Sequence, residues 1–245
     1  VAFPSGKVIY TVHGFDSIRL AYRKFLPIER FMQRACKAIV GVSRYDERHL
    51  REEGITHHVS TVYNGIKKLQ PLREDPFAHI EGYKAKVLCI ARLSPQKKSD
   101  LFVEVAWSLP EYAFIWIGNQ HEVEGDLPGN VFFMGNLPNA GAYNQFADLF
   151  ILPSNYEGLP MVIIEAMSFG CPVVASDVGG INEIVVNDWN GYTVENDVRS
   201  FTDKIKYILE NRDVYEQLSM NAKEQFEKKL TVEEMASAYL SIYHS

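Results

Sequence analysis

Short apolar runs that alternate with helix-like segments are the feature of this sequence that most restricts its fold. The runs are rich in β-branched and aromatic residues and are nearly continuous, which is typical of parallel strands covered on both faces. They lie at residues 8–12, 38–42, 59–63, 86–90, 113–117, 131–134, 149–152, 172–175 and 192–194. Helix-like segments between them lie at residues 46–53, 100–109, 140–146 and 160–169. This alternation predicts an α/β protein built from βαβ units, with doubly wound sheets and right-handed connections.

The strand pattern also predicts how the chain divides into domains. Residues 67–85 have mixed charge, two prolines and no clean period, which predicts a linker. The three strands before it form a partial first domain, residues 1–66, and the six after it form a complete second domain, residues 86–230. Residues 231–245 predict a C-terminal helix with Thr231 as its N-cap. The chain opens with VAFP and no initiator Met, so we expect a fragment of a longer protein.

Composition narrows the possible functions. The 245 residues carry a formal net charge of −6, with 47% hydrophobic and 23% charged residues. These values predict a globular protein that does not bind nucleic acid. The apolar runs are much shorter than the roughly 20 residues of a membrane span. Three scattered cysteines without metal-ligand spacing favour a reducing compartment. Together these features predict a cytoplasmic protein.

Residues 153–160, PSNYEGLP, carry the strongest functional signal. They follow an apolar strand and lead into the helical sequence MVIIEAMSFG, with Pro160 predicted at the first helical position and Gly170 at the stop. A helix that begins there directs free backbone N–H groups out of the carboxyl edge of the sheet, where open α/β sheets bind their ligands. Such a helix start binds anions, phosphates above all.

Two carboxylates accompany this helix start. Glu157 and Glu165 are eight residues apart, which corresponds to at most about 12 Å along a helix axis. That separation suits the two ends of an extended ligand and does not suit an acid–base dyad. One carboxylate would hold a ribose and the other a hexose, with phosphates between them. The alternative interpretation is a helix cap and a solvated helix face.

Two cations follow the first strand of the second domain. Arg92 and Lys97 belong to the sequence RLSPQK, on a predicted strand-to-helix loop. A planar guanidinium and a compact ammonium suit a diphosphate, with plain surface charge as the alternative. The chain has no Asp-x-Asp and no His or Cys cluster. We therefore predict no metal, and these cations would stabilise a leaving diphosphate instead.

The remaining candidate residues lie in two turns that follow predicted strands. His13 precedes a glycine at the end of the first predicted strand, where it would face a cleft between the domains. An edge histidine without a function is the alternative. Gly179 and Gly180 follow the strand PVVAS, and glycine there permits either a close backbone approach or merely a turn.

These motifs together resemble glycosyltransferase family 4. RLSPQK, residues 157–180 (EGLPMVIIEAMSFGCPVVASDVGG) and NGYTV at residues 190–194 are similar to the family's donor domain. VHG at residues 12–14, SRYDERHL at 43–50 and VYNGI at 62–66 are similar to the closing strands of its acceptor domain. The family has the GT-B fold and is retaining and metal-independent. The resemblance thus implies two Rossmann-like domains facing a cleft, with the first domain incomplete and the C-terminal helix returning to it.

The resemblance also implies a role for each candidate residue. Arg92 and Lys97 would bind the donor diphosphate, Glu165 the ribose hydroxyls, and Glu157 would lie near the transferred sugar. His13 would reach that sugar from the other domain. The implied donor-binding backbone and loop positions, at the sugar hydroxyls and beside the base, are Gly135, Asn136, Leu137, Gly158, Leu159, Pro160 and Met161. Where the family has glycine after the lysine, this chain has Lys98.

The implied reaction is transfer of a hexosyl unit, with retention, from a nucleoside-diphosphate sugar to a hydroxyl of a saccharide or lipid-linked acceptor. A UDP-sugar is favoured over a GDP-sugar, and no further cofactor is expected. This activity would serve polysaccharide or glycoconjugate synthesis. One alternative is a non-catalytic or partner-dependent subunit that binds nucleotide sugar. A sugar-nucleotide epimerase or phosphorylase of the same fold is another, against which the EGLPMVIIEAM element argues.

Residues 17–37 form a basic and partly apolar segment. The segment contains six basic residues and one acidic residue. The apolar members are Leu20, Tyr22, Phe25, Leu26, Ile28 and Phe31. Such a segment can dock on anionic lipid, which predicts peripheral contact with the inner face of a membrane. Pro27 interrupts it, and a solvated helix face or packing within the acceptor domain is the alternative.

Overall fold

The structure, a computed structural model, is built on two parallel sheets. It describes residues 8–121, 123 and 125–245. The first seven residues, on which the expectation of a fragment rests, lie outside this description. Neighbouring strands pair in parallel throughout both sheets. Helices and tight turns connect the strands, so the predicted α/β class is confirmed.

The first sheet has three strands in the order β1-β2-β3. The strands are β1, Ile9–Val12; β2, Ala38–Gly41; and β3, Val59–Thr61. Short helical turns and helix α1, Leu26–Met32, join β1 to β2, and α2, Arg44–Glu52, joins β2 to β3. Ser43 is the N-cap of α2, and its hydroxyl accepts a hydrogen bond from the Asp46 amide at 3.0 Å. This N-cap satisfies one of the amides that a helix start leaves free.

The second sheet has six strands in the order β6-β5-β4-β7-β8-β9. They are β4, Lys86–Ile90; β5, Ala113–Ile117; β6, Val131–Phe133; β7, Leu149–Leu152; β8, Val173–Ser176; and β9, Gly191–Val194. Counted from β4, this is the 3-2-1-4-5-6 order of a Rossmann sheet. The order reverses between β4 and β7. The loops that follow these two strands therefore border the crevice in which such sheets bind ligands.

Helices cover the second sheet on both faces. They are α3, Ser99–Ser108; α4, Met161–Ser168; α5, Val198–Leu209; and α6, Arg212–Lys229. The strands are continuous apolar runs because both of their faces are buried. Phe102 of α3 packs edge-on against Phe114 and Trp116 of β5, with ring centroids 5.6 and 5.1 Å apart. These contacts fix the sheet on which the candidate loops stand.

Two predictions about local structure need correction, and a third is confirmed with a change of helix type. Residues 67–85 form no helix or strand, but Phe77 and Ile80 are buried in the core of the second domain, so this part is not a plain linker. The helix predicted at residues 140–146 is confirmed and is of the 3-10 type, which places Gly141 close against the Glu165 carboxylate. Pro160 is the N-cap of α4 and has an extended ψ of 121°, so the helix begins one residue later than predicted.

The chain crosses between the domains twice at one place. The Ile66 amide donates to the Leu230 carbonyl, and the Val232 amide donates to the Ile66 carbonyl, both at 3.0 Å. Helix α7, Val232–His244, then lies against the first domain. The Thr11 and Tyr239 hydroxyls are 2.9 Å apart, and Lys37 Nζ donates to the Tyr243 carbonyl at 2.8 Å.

The basic segment presents large apolar side chains to solvent. Phe31 is 71% exposed and Leu20 is 59% exposed, and Leu26 is buried. Tyr22, Phe25, Ile28 and Met32 are exposed as well. The helices of the described residues lack the combination of length and apolar sequence that crossing a bilayer requires.

The double crossing predicts a strict requirement for glycine at position 65. A Cβ on Gly65 would lie 2.1 Å from the Thr231 carbonyl oxygen. We expect Gly65→Ala to lower the free energy of unfolding by about 1–3 kcal/mol, measured by urea denaturation. Gly129→Ala is the matched control, because a Cβ there meets nothing within 4 Å. Equal urea midpoints for the two variants would show that a Cβ at position 65 fits without disturbing the crossing.

Candidate functional site

A cleft of about 580 Å³ opens where the order of the second sheet reverses. The loops after β4 and β7 form its walls, so the fold brings together residues that are about 60 positions apart in sequence. The predicted site residues that line it are Arg92, Lys97, Asn136, Leu137, Glu157, Pro160 and Met161. Predicted residues outside its wall are His13, Gly135, Gly158, Leu159 and Glu165.

Helix α4 places its N-terminus at the cleft. Ile163, Ile164 and Met167 anchor the helix in the core, and Gly170 follows its end with φ +72°. Among the described residues no side chain accepts a hydrogen bond from the amides of its first turn, and Met161 and Val162 line the cleft. The free amides of this turn and the helix dipole make the position favourable for an anion.

A nearly buried ion pair lies in the cleft wall. Lys97 Nζ contacts Glu157 Oε1, with only 15% and 8% of the two side chains exposed. The Ser154 hydroxyl donates to the same carboxylate oxygen at 2.7 Å. An ammonium group has three donors, so the contact with Glu157 leaves Lys97 able to bind another oxygen. Arg92 is exposed at the cleft and its guanidinium makes no salt bridge within the part of the chain that the structure describes.

Hydrogen bonds join the two loops that form the cleft. The Asn155 amide donates to the Gln96 carbonyl at 2.8 Å, and the Asn155 side chain donates to the Pro95 carbonyl at 2.9 Å. Gln96 Nε2 donates to the Tyr156 carbonyl at 2.7 Å. Sequence reasoning missed Gln96 and Asn155, as it missed Ser154. All three lie inside the recognised motifs, but only the contact between the loops shows what they do.

Glu165 lies one turn beyond the start of α4. A Cβ on Gly141 would lie 2.7 Å from the Glu165 carboxyl carbon, so only glycine allows the two to pack so closely. Burial raises the pKa of Glu165 above its ordinary value. Its carboxylate has no hydrogen-bond or ion-pair partner among the described residues. A half-buried carboxylate without a partner is costly, and a ligand that donates hydrogen bonds would offset that cost.

The predicted loop at residues 135–137 is held by a neighbouring loop. The Gly118 amide donates to the Gly135 carbonyl at 2.8 Å, and the Gly135 amide donates to Asn119 Oδ1 at 2.6 Å. These bonds present Asn136 and Leu137 to the cleft. Asn119 is a further residue that the sequence analysis missed.

Gly158 lies at the contact between the two domains. A Cβ on Gly158 would come within 2.8 Å of the backbone of Gly14, which has φ +82°. The Gly180 amide donates to the Gly158 carbonyl at 2.9 Å, and Asn64 Nδ2 donates to the Leu159 carbonyl at 2.9 Å. His13 is exposed, and it directly precedes Gly14, which packs against the turn that begins α4.

Lys98 occupies the position at which the sequence resemblance implies glycine. Its φ is +43° and its ψ is 54°, in the left-handed region that glycine adopts without strain. The loop therefore keeps the shape that a glycine would allow, although a lysine occupies the position.

Solved structures share this architecture. Sucrose-phosphate synthase from Thermosynechococcus elongatus superposes with a TM-score of 0.85 and 22% identity, over 97% of this chain and 67% of that chain. Anabaena HepE, solved in complex with UDP and glucose, also reaches 0.85, with 20% identity over 97% of this chain and 71% of that chain. The two Rossmann-like units thus define a GT-B fold, with the first unit represented by three strands.

Sequence comparison identifies the family. The pattern of Glycosyl transferases group 1 matches residues 73–225, and that of Glycosyltransferase Family 4 matches residues 2–68. The chain belongs to the glycosyltransferases of this group. It is 30% identical to the O-antigen biosynthesis glycosyltransferase WbnH of Escherichia coli, over 96% of this chain and 69% of that protein. It is 26% identical to the UDP-Gal:alpha-D-GlcNAc-diphosphoundecaprenol alpha-1,3-galactosyltransferase of Escherichia coli, over 84% of this chain and 60% of that protein.

The Lys97–Glu157 pair predicts strong energetic coupling. Lys97→Met leaves a nearly buried carboxylate without its cation, and we expect a loss of about 2–3 kcal/mol in the free energy of unfolding. Adding Glu157→Gln to this variant should recover most of the lost stability, because the carboxylate that lacks its cation is then removed. Urea denaturation of the wild type, both single variants and the double variant measures the coupling. A coupling energy below about 0.5 kcal/mol would contradict the pairing.

Proposed function

We propose that this chain binds a UDP-sugar and transfers its hexosyl unit, with retention, to an acceptor hydroxyl. One observation carries the proposal: two cations, the Glu157 carboxylate and the N-terminus of α4 line the crevice of a Rossmann sheet, and a second carboxylate, Glu165, lies one turn further along the same helix. Such a crevice suits an extended ligand with an anionic middle and hydroxyl groups at both ends. A nucleoside-diphosphate sugar has this arrangement.

Charge stabilisation is the proposed source of catalysis. When the bond from the sugar to the diphosphate breaks, negative charge develops on the departing phosphate. Arg92, Lys97 and the amides at the start of α4 would stabilise that charge without a metal ion. The acceptor would attack from the face that the diphosphate leaves, and the diphosphate would take its proton. Glu157 would then accept hydrogen bonds from the sugar and hold Lys97 in place.

The donor and acceptor classes rest on the relatives. The Escherichia coli galactosyltransferase is named for a UDP-sugar donor and a diphosphoundecaprenol acceptor, and WbnH is named for O-antigen biosynthesis. We therefore assign a uridine nucleotide and a saccharide or lipid-linked acceptor to this chain. The activity would belong to polysaccharide or glycoconjugate synthesis. In the alternative, a non-catalytic subunit, the same cleft would bind the nucleotide without transferring the sugar.

Nucleotide binding is the first test of this function. We expect UDP and UDP-sugars to raise the melting temperature more than GDP or ADP does, since a ligand at 100 times its Kd adds about 2.7 kcal/mol to stability. Glu165→Gln should weaken UDP binding by roughly 10- to 100-fold, because two hydrogen bonds to a charged acceptor would be weakened. Glu227→Gln, an exposed position on α6, is the control. The function is contradicted if no nucleotide shifts the melting temperature of the folded wild type.

The same variant should be more stable without ligand. Burial raises the folded-state pKa of Glu165 above its unfolded value. The wild type therefore loses stability as pH rises from the unfolded pKa through the folded one, and this loss persists at neutral pH. Glu165→Gln carries no ionising group and escapes the loss. In urea denaturation at pH 4 and pH 7.5, the free energy of unfolding of the variant should exceed that of the wild type by more at the higher pH. A constant difference would contradict the burial of this carboxylate.

A lipid-linked acceptor gives the exposed segment at residues 17–37 a proposed role. Its outward apolar side chains and its basic residues suit the surface of an anionic bilayer, although Arg19 pairs with Asp16, and Arg23 and Arg30 pair with Glu53. We propose that this segment holds the enzyme at the membrane that carries the acceptor.

Vesicle binding tests the membrane role. Leu20→Ser with Phe31→Ser should lower the partition onto vesicles of mixed zwitterionic and anionic lipid at least about 10-fold, because two exposed apolar groups are lost. Met220→Ser is the control, since Met220 is 66% exposed in the second domain. Binding should also fall at high salt. Equal partition of the double variant and the control would overturn the role.

A further inference from the structure

One carboxylate at the contact between the domains has no part in the cleft. Glu183 ends a 3-10 turn, Ile181–Glu183, in the second domain. Its Oε2 accepts a hydrogen bond from the Arg44 amide at 2.8 Å, and its Oε1 accepts one from the Tyr45 amide at 2.8 Å. The Tyr63 hydroxyl donates to Oε2 at 3.0 Å. All three donors belong to the first domain, so this one carboxylate spans the two domains.

The chemistry of this contact favours a charged carboxylate. Arg44 and Tyr45 are the first two residues of α2, whose amides have no partner within the helix. An anion at a helix N-terminus is stabilised by the dipole as well as by the hydrogen bonds. Burial and the neighbouring Glu183 raise the pKa of Tyr63 to about 12, so the phenol remains a donor at neutral pH. A neutral amide at position 183 would lack the charge that this helix start favours.

The first turn of α2 in turn holds the turn that carries His13. Asp46 Oδ2 accepts from the Ser43 hydroxyl at 3.0 Å, and Asp46 Oδ1 accepts from the Phe15 amide at 2.8 Å. Ser43, Asp46 and Phe15 are all buried. Phe15 follows Gly14 directly, and Gly14 packs against Gly158. A continuous set of contacts thus connects Glu183 to the turn at His13.

We propose that Glu183 is a positioning residue that holds the first domain, and with it the His13–Gly14 turn, against the donor cleft. It does this by binding the start of α2 and does not touch the nucleotide sugar. The effect on transfer rests on the function proposed above, whereas the effect on domain position does not. The two ideas can therefore fail separately.

Domain position is the direct test. Spin labels at Glu52→Cys and Asp203→Cys report the distance between the domains, because both side chains are exposed and the three native cysteines are buried. We expect Glu183→Ala to broaden or shift the distance distribution, and Glu183→Gln and Tyr63→Phe to do so less. Glu227→Ala should leave it unchanged. An unaltered distribution in both Glu183 variants would overturn the proposal.

Kinetics supply a second, independent test. With water as the acceptor, release of UDP from a UDP-sugar measures turnover. Glu183→Ala should lower kcat at least 10-fold, while the Kd for UDP stays within about twofold because the cleft belongs to the second domain. Wild-type turnover in a variant with altered domain distances would overturn the positioning role. If the wild type binds no nucleotide, the proposed function fails, and the distance measurement still decides the role of Glu183.

Discussion

The close backbone contact at Gly158 is the constraint on which the rest of the site depends. Gly158 meets Gly14 from the first domain and accepts a hydrogen bond from Gly180, and a Cβ on Gly179 would lie only 1.9 Å from the Glu157 carbonyl oxygen. Side chains at these positions would force the loops apart. Because Glu157 adjoins this point, the same packing that joins the domains also fixes the backbone from which its carboxylate reaches Lys97 and Ser154.

Charge in the cleft is arranged before any ligand binds. Lys97 is held by Glu157, which Ser154 holds in turn, and the two loops that carry them are cross-linked through Gln96 and Asn155. These groups need little reorganisation when charge develops on a ligand, which is the condition under which electrostatic stabilisation is most effective. Arg92 differs from them because it is exposed. It can follow a ligand as it enters and leaves.

The second domain could be predicted well from the sequence because its strands are continuous apolar runs and each functional motif directly follows one of these strands. The Rossmann order puts those motifs at one edge, so Arg92, Lys97 and Glu157 were expected together and lie in one cleft. Sequence reasoning failed where contacts between residues far apart in the chain determine the structure. Nothing in the local pattern marks Glu183 as the partner of α2, and mixed charge in residues 67–85 concealed the burial of Phe77. At position 98 the left-handed backbone would favour glycine, but the surrounding loop holds Lys98 at positive φ.

The paired crossings at Ile66 and Thr231 have a mechanical consequence. Both connections between the domains pass through one parallel bridge, and Gly65 is packed against the Thr231 carbonyl group. Because both covalent connections between the domains meet at this bridge, any rotation of one unit against the other would use the bridge as its pivot, and the contacts of Glu183 and Gly158 oppose that rotation. Displacement then grows with distance from the pivot. A small change of angle there becomes a larger change in the gap at the far end of the cleft.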